Sequence, residues 1–248
     1  MTNEENKPGS VCPNCLEIIP KQITRKMSCP LCKKTIYVRQ GKPVTEDERY
    51  IIDWQRYMEF LVPDITKIRE TVERTLAAQF GARPSPRDLI WGMFNHIAAR
   101  LRNPNRLEII YMNMATFLTE EGDRKGADEL SRSAHKVSVL GQINLGFYKG
   151  VLFNNSQDDF VCEECKKING TMMSLRKAYE NFPIPVSTCT NKKCRCSYES
   201  LYESLADKME GTKSKDIKNK SQDSQKSPFH IIKRISAVPL RILYENIC

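Results

Sequence analysis

Histidine is scarce in this chain, with three in 248 residues, and tryptophan scarcer still with two. His96, His135 and His230 fall on separate stretches, so no pair is spaced to share a proton or a catalytic ion. A phosphate-cradling glycine loop, a Gly-x-Ser-x-Gly elbow and a His-Glu-x-x-His helix are all missing, which removes the commonest hydrolase and nucleotide-enzyme readings. His96 lies among Phe94, Ile97 and Leu101 and reads as a packed side chain, whereas His135, after Ala134, reads as exposed. Asp158, Asp159, Glu163 and Glu164 form an acidic run, and acids in such a place more often cap turns than do chemistry. The expectation is a protein that is not an enzyme.

Long apolar runs are missing too. No stretch of eighteen apolar residues is available to span a bilayer. The N-terminal Met1-Thr2-Asn3-Glu4-Glu5 is acidic where a secretory signal would be basic and then apolar. These features predict a cytoplasmic protein with no integral membrane segment. With 40% apolar residues and a mean hydropathy of −0.51, several small units are expected in place of one large core.

Cysteine, by contrast, is plentiful, with ten residues. In a reducing compartment paired cysteines are better explained by metal than by disulfides. Cys12-Pro13-Asn14-Cys15 and Cys29-Pro30-Leu31-Cys32 form two Cys-x-x-Cys turns. Each delivers two thiolates from one tight loop, and together they close a tetrahedral zinc site with no position left for chemistry. Residues 1–43 are therefore expected to fold as a zinc ribbon, with Thr35-Ile36-Tyr37-Val38 as one of its strands.

A second group follows at Cys162, Cys165, Cys189, Cys194 and Cys196, five thiols for a site that needs four. Two ligands at alternate positions are awkward in a tight loop. The reading takes Cys162, Cys165, Cys189 and one of Cys194 or Cys196, with Cys194 preferred. Two structural zinc ions are thus expected.

Between the clusters the pattern is helical. Thr45-Glu46-Asp47-Glu48 is a capping box leading into Ile51, Trp54, Met58 and Leu61, with Pro63 as a stop. Asp64 can cap a helix that Gly81 ends, and Ser85-Pro86-Arg87-Asp88 opens a third through Leu89, Met93, Phe94 and Ile97. Tyr111, Met114, Ala115, Leu118, Gly122-Asp123, Ala127 and Ala134 then resemble a single tetratricopeptide repeat, in which small residues let two antiparallel helices approach. No second copy follows at that period. The alternative is an ordinary helical hairpin.

The fold class expected is mainly α with small β zinc modules: a ribbon at 1–43, a central helical, tetratricopeptide-like region at 44–150 and a cysteine-rich metal module at 151–209. Within the last, Ser197 to Met209 reads as a short helix. Residues 210–227 are Lys, Ser, Asp, Asn and Gln with little else and read as a disordered linker. Residues 228–248, apolar again, read as a docking segment.

The net charge is +9, and residues 1–42 hold eight basic residues against three acids. Lys21, Arg25, Lys26, Lys33, Lys34 and Arg39 can neutralise phosphates, and Tyr37 can stack on a base, so DNA or RNA is one expected partner. A protein bound by the helical middle or the tail is the other.

Three family likenesses follow from these residues. Asp159-Phe160-Val161-Cys162-Glu163-Glu164-Cys165, Ile168-Asn169-Gly170, Pro183-Ile184-Pro185 and Cys194-Arg195-Cys196 resemble the C-terminal motif of the phage Mu F-like minor head proteins. That motif has a histidine ahead of its Cys-Arg-Cys step, and here Cys189 stands nearest to that place. The likeness covers about forty of the 248 residues. The first module, with Ile36-Tyr37-Val38-Arg39 and Val44-Thr45-Glu46, is similar to zinc ribbons that head uncharacterised bacterial and phage proteins. The third is the tetratricopeptide likeness above. The residues themselves read as a non-enzymatic zinc-binding adaptor that contacts nucleic acid through the basic ribbon; the likenesses imply a bacterial or phage-borne protein and, as the alternative function, a structural role in phage or prophage head morphogenesis.

Overall fold

The computed structural model describes residues 9–20, 22–191 and 194–202. The expected linker at 210–227 and docking segment at 228–248, with His230 and Cys248, lie outside the described residues. About half of the described residues are helical, and the strands form small antiparallel sheets. None of the described helices is long and apolar enough to cross a membrane. The chain divides into two compact units between Ile97 and Ala98.

The first unit begins with β1 (Ser10–Val11) paired to β2 (Ile18–Ile19), followed by the antiparallel sheet β3 (Met27–Ser28), β4 (Thr35–Arg39) and β5 (Lys42–Val44). Cys12, Ile19, Ile23, Cys29 and Ile36 form its buried centre. Three helices follow, α1 (Glu46–Glu59), α2 (Ile65–Phe80) and α3 (Pro86–Ala98).

Each helix starts where its capping residue requires. The Thr45 hydroxyl accepts from the Glu48 amide at 3.1 Å, Asp64 from Lys67 at 2.9 Å and Ser85 from Asp88 at 3.1 Å. The capping box closes on one side only, because the Glu48 carboxylate is held by both guanidinium nitrogens of Arg69 at 2.7 Å. That pair ties α2 to α1. A second fork, Arg39 on Asp53 at 2.7 and 2.8 Å, ties β4 to α1. Trp54 meets Phe94 edge-on, with ring centroids 5.8 Å apart, inside a core of Ile51, Met58, Leu89, Ile90 and Met93. Gly92 is where α3 comes closest to α2, since a Cβ there would stand 2.6 Å from Val72 Cγ1.

The second unit opens with the antiparallel hairpin of α4 (Pro104–Glu120) and α5 (Arg124–Leu145). Ala115, Ala127 and Ala134 are buried in it, and Gly122 turns it in the left-handed region at φ 85°. Asp123 caps α5 by accepting from Gly126. Then come β6 (Tyr148–Asn154), α6 (Glu163–Ile168), β7 (Thr171–Ser174), α7 (Leu175–Glu180) and β8 (Ser197–Tyr202). The sheet runs β7-β6-β8, all antiparallel.

Here the structure corrects one expectation, for residues 197–202 are a strand and not the start of a helix. The approximate helical spacing of Leu201 and Tyr202 is overridden by six paired positions along β6, from Asn154↔Ser197 to Tyr148↔Tyr202. Val151 and Phe153 on β6 pack with Leu175, Ala178, Phe182 and Ile184.

His135 is corrected too. It stacks on Phe182 with centroids 4.9 Å apart and meets the edge of Tyr198 at 5.3 Å. Burial pushes its pKa down from 6.5 to about 4, which keeps the ring neutral.

Two tests follow. Gly92→Val drives side chain into Val72 and is expected to cost about 1–3 kcal/mol, read from urea unfolding; an unchanged midpoint contradicts the close crossing. For His135, the unfolded chain takes up a proton near pH 6.5 and the folded chain only near about 4. The stability this neutral ring contributes is therefore present above 6.5 and lost as pH falls through that window. Thermal melts should show His135→Phe losing less stability than the native chain between about pH 6.5 and 4.

Candidate metal centres

The two Cys-x-x-Cys turns of the first unit are built alike. In the first, the Leu16 amide donates to the Cys12 carbonyl and the Cys12 amide to the Glu17 carbonyl, both at 2.9 Å. In the second, Lys33 donates to Cys29 at 3.0 Å and Cys29 to Lys34 at 2.9 Å. Each turn is finished by a non-glycine residue in the left-handed region, Leu16 at φ 63° and Lys33 at φ 64°. The same fold of the backbone, used twice, aims both pairs of sulfurs inward. Asn14 Nδ2 donates to the Thr35 carbonyl and fixes the first turn against β4.

All four sulfurs of Cys12, Cys15, Cys29 and Cys32 lie within 4.8 Å of one another. Across the turns, Cys12 to Cys32 and Cys15 to Cys29 are each 3.9 Å. A disulfide would bring sulfurs to about 2.05 Å, so these thiols are not bonded in pairs. Four thiolates about 2.3 Å from a central ion have tetrahedral edges of about 3.8 Å, close to the spacing found. The residues fit one tetrahedral ion.

Their titration fits as well. The Cys32 amide pulls the Cys29 thiol down to about 7 against the effect of burial. The Glu17 amide pulls on Cys15, yet burial and the crowding thiols of Cys12, Cys32 and Cys29 outweigh it and push Cys15 up to about 12. Four such groups ionise together only when a cation compensates them.

In the second unit, Cys162 stands just ahead of α6 and Cys165 lies in its first turn. Cys189 follows a turn closed by its amide on the Val186 carbonyl, and Cys194 and Cys196 stand just ahead of β8. Cys162 to Cys189 is 3.7 Å and Cys165 to Cys194 is 3.8 Å. Two groups of three sulfurs lie within 4.8 Å: Cys162, Cys165 and Cys189, and Cys165, Cys194 and Cys196. The chain thus brings both Cys194 and Cys196 to Cys165, although they occupy alternate positions.

Amides of Cys165 and Thr190 lower the Cys162 thiol to about 6, while burial raises Cys165 and Cys189 and takes Cys196 to about 11. This is again an arrangement that a cation stabilises.

Supporting contacts around this cluster were not legible as such in the sequence. Arg195 pairs with Asp158 at 2.7 Å, Arg124 donates to the Cys189 carbonyl, Asn191 to the Phe160 carbonyl at 2.6 Å, and Asn155 to the Cys165 carbonyl at 3.3 Å. The Asn169-Gly170 turn, with Gly170 at φ 73°, returns its amide to Phe153 at 2.8 Å. Glu163 and Glu164 are paired with Lys166 and Lys167 at 2.7 and 2.5 Å.

Of the residues read as contacts to nucleic acid, Arg25, Lys26, Lys33 and Lys34 are exposed and Lys21 lies outside the described residues. Arg39 is engaged by Asp53. Tyr37 has Lys26 at 5.2 Å and Arg49 at 4.7 Å over its ring and donates its hydroxyl to Glu46. Both side chains are occupied within the first unit.

Fold and sites together define a mixed α and β chain carrying two cysteine clusters able to hold metal ions. Comparison with protein-family models, with curated proteins and with solved structures finds no match.

Metal analysis tests both clusters. Two ions per chain are expected, with Cys15→Ser and Cys165→Ser each losing one. Because thiolates are the ligands, protons compete with the ions for them, and both ions should be lost in acid. Full retention of metal in either variant contradicts the assignment.

Proposed function

We propose that this chain is a non-enzymatic adaptor braced by two structural zinc ions, one in each cysteine cluster, and that the basic face of its N-terminal ribbon contacts DNA or RNA. The observation that carries the reading is the sulfur spacing of 3.7 to 3.9 Å, which matches the edge of a tetrahedral zinc–thiolate site. Tetrahedral all-sulfur sets suit zinc or iron, and two short turns that close on themselves suit an ion with no redox task. A site filled by four sulfurs leaves no place for substrate.

Arg25, Lys26, Lys33 and Lys34 supply the phosphate contacts in this reading, since Arg39 is spent on Asp53 and Tyr37 is covered by cations. The cytoplasm suits such an adaptor, because thiolate ligands need reducing surroundings. The helical middle, tetratricopeptide-like in its hairpin, then offers a place for a protein partner.

A second reading, a structural protein of phage or prophage head morphogenesis, draws on the Mu F-like motif. What favours it is convergence, since Cys162, Cys194 and Cys196 of the motif gather at Cys165 from more than thirty residues of chain.

Fluorescence anisotropy on labelled DNA and RNA separates the two. Binding that falls steeply with salt is expected, and Lys33→Ala with Lys34→Ala should flatten the log–log salt slope by about 2. Absence of binding at low salt defeats nucleic-acid contact and leaves head assembly, for which sedimentation should then show large oligomers.

A further inference from the structure

The two clusters differ in one respect, the number of sulfurs. The first has four in a single group, with every cysteine used. The second has five, arranged as two groups of three that share Cys165. Cys194 and Cys196 both bring their sulfurs within 4.8 Å of Cys165, while Arg195 between them pairs with Asp158 at 2.7 Å. Cys165 also belongs to the group of Cys162 and Cys189, so both candidates for a fourth ligand stand beside a sulfur of that set.

Space is available on the same side. A cavity of about 280 Å³ is lined by Cys194 and Cys196 together with Thr116, Asp128, His135 and Tyr198. Both thiols are half-buried there, so a small reagent can approach.

We propose that Cys194 and Cys196 alternate as the fourth ligand of the second centre, and that whichever is displaced is a modification site, an uncoordinated thiol open to soft electrophiles. This rests on the reading that the cluster holds one ion. With iodoacetamide the reaction is a displacement: the sulfur attacks the methylene carbon, an S–C bond forms, the C–I bond breaks, iodide leaves and the thiol proton passes to water. The displaced thiol also provides an entering ligand beside the ion, so metal exchanges at this centre faster than at the first, which has no fifth sulfur.

The test uses the full zinc-loaded chain carrying Cys248→Ser, labelled with iodoacetamide and read by peptide mass spectrometry alongside zinc analysis. One label per chain is expected, divided between Cys194 and Cys196, with two zinc retained. Cys194→Ser and Cys196→Ser should each keep two zinc and lose the label, and the double variant should fall to one zinc. Release of zinc to a chromophoric chelator should show a fast phase that either single variant loses. Label confined to one cysteine, with loss of zinc when the other is replaced, overturns the alternation and leaves a fixed fourth ligand. Label on all five sulfurs with a single zinc bound instead overturns the one-ion reading beneath it.

Discussion

The structure depends on sulfur atoms brought to a separation at which they neither bond nor tolerate one another's charge. In the ribbon the buried centre beneath them is three isoleucines, too little apolar surface to hold strands of two to five residues by itself. What aligns those strands is the pair of matching turns, whose amides and left-handed fifth residues aim the thiols at one point. Leu16 and Lys33 accept an unfavourable backbone conformation in each turn, and a bound cation would offset that cost along with the repulsion between thiolates. The same constraint governs the second cluster, where the start of α6 presents two sulfurs, the turn ending at Cys189 one, and the approach to β8 two more.

Local signals in the sequence carried over where they act within a few residues. The ribbon turns, the three capping residues Thr45, Asp64 and Ser85, the left-handed Gly81 and the alanine-lined hairpin are determined by neighbours along the chain, and each lies where its chemistry points. Side chains whose partners are distant behaved otherwise. Glu48 reads as half of a capping box, yet Arg69, a turn and a helix away, offers two charge-assisted bonds against one to a backbone amide. His135 reads as exposed because Phe182 and Tyr198, which enclose it, lie more than forty residues further on. β8 reads as helix since six residues cannot reveal that β6 supplies a partner for every one.

Charge shows the same division. The excess of positive charge at the N-terminus is a property of composition and was visible directly. Which charges are free to meet a polyanion is a property of packing, and Arg39 and Tyr37 are taken up by α1 and by flanking cations. The exposed set that remains is smaller and sits on the second turn and on the two residues just ahead of β3. Likewise the five-sulfur count was plain from the sequence, while the sharing of Cys165 between two groups of three is a property of the fold, which no spacing rule foretells.

Strand β8 begins at the residue after Cys196 and is laid along β6 through six paired positions. Tension applied to the chain beyond Tyr202 is therefore borne first by that ladder, opening from its Tyr148↔Tyr202 end, and reaches the sulfurs only after the last pair at Ser197 parts. The sheet is a mechanical fuse for the cluster, giving way pair by pair before any ligand is pulled.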